Sequence, residues 1–430
     1  MDVLLLFVSV VGLMLIGVPI AVSLGLSSII FLLVLSDTSL ASVAQSFFQA
    51  MAGHYTLLAI PFFILASSFM STGGVARRII RFSIALVGHM HGGLAIAGVF
   101  ACMLFAALSG SSPATVVAIG SIVIAGMRQV GYSKDFAAGV IANAGTLGIL
   151  IPPSITMIIY ATFTETSIAR LFAAGLLPGI LLALCYMGFI VARVLLNPKL
   201  APKSDERASL GDLGRALLDI VPFLLLIVIV LGSIYGGFAT PTEAGAVGTI
   251  GAIVIAGIYG KLSLKLVTDA LSRTVRMSGN ILFIVFTSMI FAYATALSGV
   301  GEDLVGMLEE ANVSRTTFLL IIMVVFAILG CFMEGLGMIA IIVPVIFPAL
   351  LSLEVDPIWF GVFVVILVEL GQLTPPLGVI LFVVASSSDK VRVEDVIMGT
   401  LPFFIIILAF MLLLIGFPQI ALFLPEFTFG

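Results

Sequence analysis

Two short segments of this 430-residue chain place backbone-breaking prolines beside side-chain oxygens. The first, "NAGTLGILIPPS", runs from Asn143 to Ser154, and the second, "ELGQLTPPLG", from Glu369 to Gly378. Proline removes a backbone donor and clashes with the preceding turn, while glycine relaxes the chain, so each segment should open a helix and expose carbonyls. Such carbonyls, joined by Ser, Thr, Asn or Gln oxygens, form a hard oxygen cage suited to Na⁺. Either motif alone reads more simply as a tolerated proline kink. Their occurrence as a pair favours ion sites.

A polar interruption precedes each segment. In the first half it is Ser109-Gly110-Ser111-Ser112-Pro113-Ala114-Thr115, in the second Phe332-Met333-Glu334-Gly335-Leu336-Gly337. Neither carries a positive charge, and the flanking apolar arms run about seventeen residues, the lower limit for a span. Both read as tips of re-entrant hairpins rather than external turns. An intramembrane carboxylate costs a few kcal/mol if ionised and unpaired, which singles out Glu334 and Glu369. Glu334 could ligate a cation, accept a proton or hydrogen-bond a helix end; for Glu369 helix-end hydrogen bonding is expected first. Glu243, in "TPTEAGA", reads as a capping residue after Thr242.

Other reactive residues suggest little chemistry. Cys102, Cys185 and Cys331 stand alone without metal or redox spacing. Cys102 joins Gly98, Ala106 and Gly110 in a row of small residues at every fourth position, which lets helices approach closely in lipid. His54, His89 and His91 fall at interfaces without metal spacing. The serines of "LSGSSPA" have no His or Asp partner at depth, so the chain is not read as an enzyme; no Walker motif occurs, though a separate ATPase could supply one to a permease of an ATP-driven importer.

The elements that must position these residues lie in a bilayer. Hydrophobic residues make up 61% and charged residues 9%, with a mean hydropathy of +1.33; soluble domains average about 25% charged residues. The N-terminus lacks the positive region of a cleaved signal peptide. Apolar runs cover 3–18, 19–36, 55–71, 92–109, 113–127, 133–164, 170–196, 217–236, 240–260, 277–298, 315–332, 336–352, 357–388 and 397–425, the first pair reading also as one helix bent at Pro19. A run of 32 residues would be about 48 Å long as one straight helix, so 133–164 and 357–388 are expected to be broken. Between 72 and 91, Arg77, Arg78 and Arg81 alternate with apolar residues, the pattern of a helix lying in the interface.

With both termini outside, and 92–127 and 315–352 each returning to their own side, all but Arg170 and Arg315 of the eighteen Lys and Arg face the cytoplasm. That set includes Arg128, Lys134, Arg193, Lys203, Arg207, Lys261, Arg273, Arg276 and Lys390. The chain also matches itself. Shifted by 223 residues, Gly148, Pro152 and Pro153 fall on Gly371, Pro375 and Pro376, and Ser111-Ser112 on Glu334-Gly335. The expected organisation is a first repeat at 1–197 (hairpin 92–127, broken helix 133–164), a cytoplasmic linker at 198–216, and a second repeat at 217–430 (hairpin 315–352, broken helix 357–388). Each half crosses an odd number of times, so the two have opposite topology, a recurrent plan for secondary transporters. The fold class is therefore an all-α polytopic membrane protein of two inverted repeats.

"GVPIAVSLGLS" (17–27), "HYTLLAIPFFILAS" (54–67), "STGGVARRI" (71–79), "FAALSGSSPATVVAIGSI" (105–122), "NAGTLGILIPPSI" (143–155), "TPTEAGAV" (240–247) and "FMEGLGMI" (332–339) closely resemble the large membrane subunit of tripartite ATP-independent periplasmic (TRAP) transporters. The resemblance covers nearly the whole chain. It implies a multi-pass protein of the bacterial inner membrane working as an elevator carrier. It further implies Na⁺-driven uptake of an organic acid such as a C4-dicarboxylate or sialic acid, two or more ions being co-transported. The implied partners are a small four-helix membrane subunit and a periplasmic substrate-binding protein, and not a nucleic acid. By analogy one Na⁺ would use Ser109, Ser112, Asn143, Gly145 and Thr146, and a second Gly330, Glu334, Gly335, Gly371, Gln372 and Thr374. Substrate would lie near Ser111, Gly337 and Thr374. The second-half motif departs from the four-carbon members at Gln372, where isoleucine often stands. The other candidate is a self-sufficient sodium/dicarboxylate symporter of the same superfamily, without a binding protein.

Overall fold

The computed structural model describes residues 2–34, 39–72, 74–202, 208–376, 378–388 and 391–430, and among them every regular element is helical. Lys203, Arg207, Leu377 and Lys390 lie outside the described residues. The chain opens with α1 (Asp2–Leu15), α2 (Ile20–Val34), α3 (Leu40–Gly53), α4 (Ala59–Thr72) and α5 (Val75–Val87). Next come α6 (Gly93–Ser109), α7 (Ser112–Thr115), α8 (Ser121–Gln129), α9 (Lys134–Leu150), α10 (Ile155–Thr164) and α11 (Ile168–Leu196). The second half holds α12 (Leu210–Tyr235), α13 (Pro241–Ile258), α14 (Leu264–Leu297), α15 (Val300–Glu310), α16 (Arg315–Gly330) and α17 (Gly335–Ser352). It ends with α18 (Pro357–Gln372), α19 (Val379–Ser386), α20 (Val393–Gly416) and α21 (Gln419–Phe429).

Among the described residues six helices are each long and apolar enough to cross a membrane: α11, α12, α13, α14, α17 and α20. α12 shows how they meet lipid. It buries one stripe, including Ile220, Phe223, Leu226 and Val230, and exposes Leu218, Leu225, Val228 and Ile229. Apolar side chains outside and apolar side chains inside are what a bilayer solvent permits. The chain is a multi-pass membrane protein.

The interior is built differently. α9 is buried at every position from Phe136 to Leu150, and α18 from Trp359 to Gly371. α9 packs between α6 and α20, while α18 packs against α16, α11 and α17. Both helices stop where the prolines stand. α9 gives way to α10 at a bend of 43°, and Ser154 caps α10 by accepting from Met157 N at 3.2 Å. α18 ends at Gln372, and α19 starts beyond Pro375-Pro376; both Pro-Pro peptide bonds are cis.

The hairpin arms are short. α6 has 17 residues and α16 has 16, so each reaches roughly 25 Å, short of a hydrocarbon core of ~30 Å. Ser109, Ser112 and Thr115 at the first tip are buried. α7 continues through a π-helical turn (Val116–Gly120) into α8.

Several boundaries differ from the sequence expectation. α1 and α2 are separate helices, parted where Gly17 takes a left-handed backbone (φ +89°) before Pro19. α3 was not expected, because Ser42, Gln45 and Gln49 dilute its apolar face. α14 begins at Leu264, well before 277, since Lys265, Arg273 and Arg276 sit on exposed positions of a continuing helix. α12 starts at Leu210, inside the expected linker, and the run 397–425 is two helices parted at Phe417-Pro418. Glu243 closes a capping box with Thr240, not Thr242: Thr240 N donates to its carboxylate at 2.8 Å, and Glu243 N donates to the Thr240 hydroxyl at 3.3 Å.

Candidate functional site

Both tips and both helix breaks face one cavity of about 190 Å³. The first tip contributes Gly110, Ser111 and Pro113, and the second Glu334, Gly335 and Leu336. Ile149, Ile155 and Thr156 come from the first break, Gln372 and Val379 from the second, and Met277, Asn280 and Ile281 from α14. Four helices start at this wall: α7 at Ser112, α10 at Ile155, α17 at Gly335 and α19 at Val379. A helix N-terminus carries a partial positive charge, although at α7 and α10 some N–H groups are already taken by Ser111, Ser154 and Gly110. Converging N-termini make a setting for a carboxylate, as at other helix-end anion sites.

Close backbone approach holds each tip to its own break. Ile155 N donates to the Gly110 carbonyl at 3.3 Å. Gly110 takes φ +60°, and a Cβ there would come within 2.7 Å of the Pro153 carbonyl oxygen, so only glycine fits. In the second half Gly330 meets Gly371 backbone to backbone: a Cβ on Gly330 would lie 2.3 Å from Gly371 Cα, while one on Gly371 would first meet Met338 Cε at 2.7 Å.

The oxygens expected to hold the first cation are mostly committed to protein partners. Ser112 Oγ donates to Thr146 O at 3.2 Å, Thr146 Oγ1 to Asn143 O at 2.8 Å, and Asn143 Nδ2 to Gly139 O at 2.7 Å. Ser109 Oγ shares a hydrogen bond with Thr115 Oγ1 at 2.8 Å. Asn143 Oδ1 is the exception: it is buried and accepts from nothing. Gly145 lies under the Val116 side chain. Ser111, from the expected substrate set, lines the cavity and caps α7 by accepting from Ala114 N at 3.5 Å.

The second set has more free oxygens. Gln372 Oε1 is buried without a partner, and so are both carboxylate oxygens of Glu369. Glu369 therefore makes none of the helix-end hydrogen bonds expected of it; its carboxyl sits beside Thr146 and Tyr186, linking the two halves. Glu334 is N-cap of α17 but makes no side-chain cap bond, and its side chain opens onto the cavity. Gly335 packs against Val368 and the Gln372 amide. Thr374 Oγ1 turns back to Leu370 O at 2.7 Å, and Gly337 lies against Ile20 of α2; neither is part of the cavity wall. Sequence reasoning missed Thr156 and Asn280. Asn280 had a signal, as a lone amide inside the apolar run 277–298.

The family described as "Tripartite ATP-independent periplasmic transporter, DctM component" matches residues 7–420. The chain is 46% identical over 460 residues to the C4-dicarboxylate TRAP transporter large permease protein DctM of Vibrio cholerae serotype O1, covering 100% of this chain and 99% of that one. It is 45% identical to the protein of the same description in Pseudomonas aeruginosa, covering 94% of each chain. The fold is shared with the crystal structure of the Alcanivorax borkumensis YdaH transporter, at a TM-score of 0.63 and 16% identity over 89% of this chain and 90% of that one. The relatives are named as transport permeases, not enzymes.

Proposed function

This chain belongs to the large-permease (DctM) family of TRAP transporters, and on that premise we propose that it carries a small dicarboxylate into the cell together with Na⁺. The supporting observation is the cavity wall itself: four helix N-termini converge where two hairpin tips meet, Gln372 of that wall keeps an unpartnered buried oxygen, and so do Asn143 and Glu369 of the two interior helices. The N-termini and the Asn280 amide face the anion. The residues of the expected ion sites fit a cation, because an orphaned carbonyl or carboxylate oxygen gains a ligand when Na⁺ arrives. Unpaired buried polar oxygens cost about 1–3 kcal/mol each, so cation binding relieves a cost already present. Two cations beside the tips would also offset the charge of a dicarboxylate. The names of the DctM relatives favour a four-carbon acid.

The movement proposed is of elevator type. α2, α3, α4, α12, α13 and α14 pack on one another as a frame, and the hairpins with their broken helices form the moving body. Under the orientation set by the positive charges, both termini face the periplasm in the inner membrane. A periplasmic binding protein delivers substrate there, and a small four-helix subunit joins the frame.

Proteoliposomes holding this chain, its small subunit and the binding protein test the reading. Succinate should accumulate with Na⁺ outside and not with choline. Equal accumulation in choline refutes the coupling. Uptake that persists without the binding protein would assign the chain to the self-sufficient carriers instead.

A further inference from the structure

The central cavity continues away from the tips. It shares Ser111, Pro113, Ile155 and Met277 with a second cavity, which in turn shares Ser71, Val117, Ala118 and Arg273 with a third. The third is a vestibule of about 650 Å³ lined by Arg77, Arg78, Arg81, Lys261 and Arg273, with Asp219 as its single acid. Five positive groups against one negative leave four unmatched. Asp219 is occupied by Arg81 at 3.4 Å, and Arg78 stacks on Tyr259 at 3.8 Å. Arg273 has no acidic or hydrogen-bonding partner among the described residues. It lies at the junction of the vestibule and the middle cavity.

One helix runs the length of this path. Arg273, Met277 and Asn280 fall at i, i+4 and i+7 on α14, a single stripe, and about 10 Å of helix rise separates the first from the last. Opposite them stand Pro113, Val117 and Ala118 of the first hairpin. One wall therefore belongs to the proposed frame and the other to the proposed moving body. A cleft lined by one sign of charge concentrates counter-ions by 10-fold or more.

We propose that this path is the cytoplasmic exit for the transported anion and that Arg273 is the cation its carboxylate meets on leaving the tips. The inference rests on the dicarboxylate reading above for its substrate, but the electrostatic conduit can be read without it. Asn280 holds the anion among the helix N-termini. Arg273, two turns away, receives it once the tips release their cations, and the remaining arginines and Lys261 draw it to the aqueous mouth.

Two measurements on the full chain with its small subunit, the binding protein being added for uptake, decide the matter. In the first, Met277→Cys is treated from the basic side with anionic and cationic methanethiosulfonates of similar size, and modification is read on that peptide by mass spectrometry. The anionic reagent should be favoured on the order of tenfold relative to an exposed reference thiol. The preference should collapse in Arg273→Gln and return in Arg273→Lys. A preference unaltered by Arg273→Gln overturns the proposal, whatever the natural substrate is.

In the second, succinate uptake by Arg273→Gln should fall on the order of tenfold in kcat with KM nearly unchanged, and Arg273→Lys should restore most of it. Wild-type turnover in Arg273→Gln overturns the proposal. The loss should be equal in vesicles of phosphatidylcholine and in vesicles containing phosphatidylglycerol. A loss confined to the anionic vesicles would assign Arg273 to a lipid headgroup and also overturn it. Failure of the wild-type protein to require Na⁺ strikes the function proposal alone, because the thiol preference does not depend on sodium.

Discussion

The two half-sites place similar backbone around very different oxygens. In the first, hydroxyls and amides are tied to one another and to the chain, with Asn143 Oδ1 left over. In the second, Glu334 lines the cavity without a cap bond, and Glu369 and Gln372 keep unpartnered oxygens. A satisfied neutral network is rigid before any ligand arrives. An unsatisfied, acidic one depends on the ligand to settle it. Under the proposed function the first half-site is thus a preformed platform, and the second is where cation charge would contribute most.

Substitutions can break or sharpen that contrast. The largest effect is expected from Glu334→Leu, which removes a cavity-facing carboxylate. Loss of a charged hydrogen-bonding group costs about 1.5–3 kcal/mol, so the half-saturating Na⁺ for succinate uptake should rise on the order of 10- to 100-fold. A sodium titration matching wild type would remove Glu334 from the ion site. Next comes Asn143→Leu, which deletes the orphaned Oδ1; a rise of about tenfold is expected from one lost neutral ligand, read in the same titration. An effect larger than that of Glu334→Leu would reverse the ranking of the halves.

Ser112→Ala should act less. It removes the bond to Thr146 O but no unpartnered oxygen, so about a threefold rise is expected for one net hydrogen bond. Smallest at the site, and largest elsewhere, is Glu243→Ala. Losing the α13 capping box should lower thermal stability by about 1 kcal/mol while leaving the sodium titration in place. A shifted titration would show that the frame tunes the ion sites, which the contrast does not allow.

The breaks were legible in the sequence because proline and glycine act through the backbone, and backbone effects are local. Ser109-Gly110-Ser111-Ser112 and Glu334-Gly335 were legible for a related reason: polar residues at membrane depth need a purpose. The start of α14 is hard to read from sequence because its charges, taken singly, resemble a loop; only their one-sided exposure over consecutive turns shows a helix. α3 escaped because small polar residues lower its hydropathy without breaking it. The convergence of four helix N-termini was not legible at all, since it joins residues more than 250 apart in the chain, from Ser112 to Val379. Gly337 and Thr374 stand near substrate by resemblance alone; in the structure one meets Ile20 and the other turns back to Leu370 in the last turn of α18.

Sodium and succinate carry distinct radiolabels in the most direct measurement, with both fluxes followed together in the same three-component vesicles. Sodium should enter with succinate at more than one ion per molecule, and Glu334→Leu should depress both fluxes together. Succinate that accumulates against its gradient with no accompanying sodium would contradict the account.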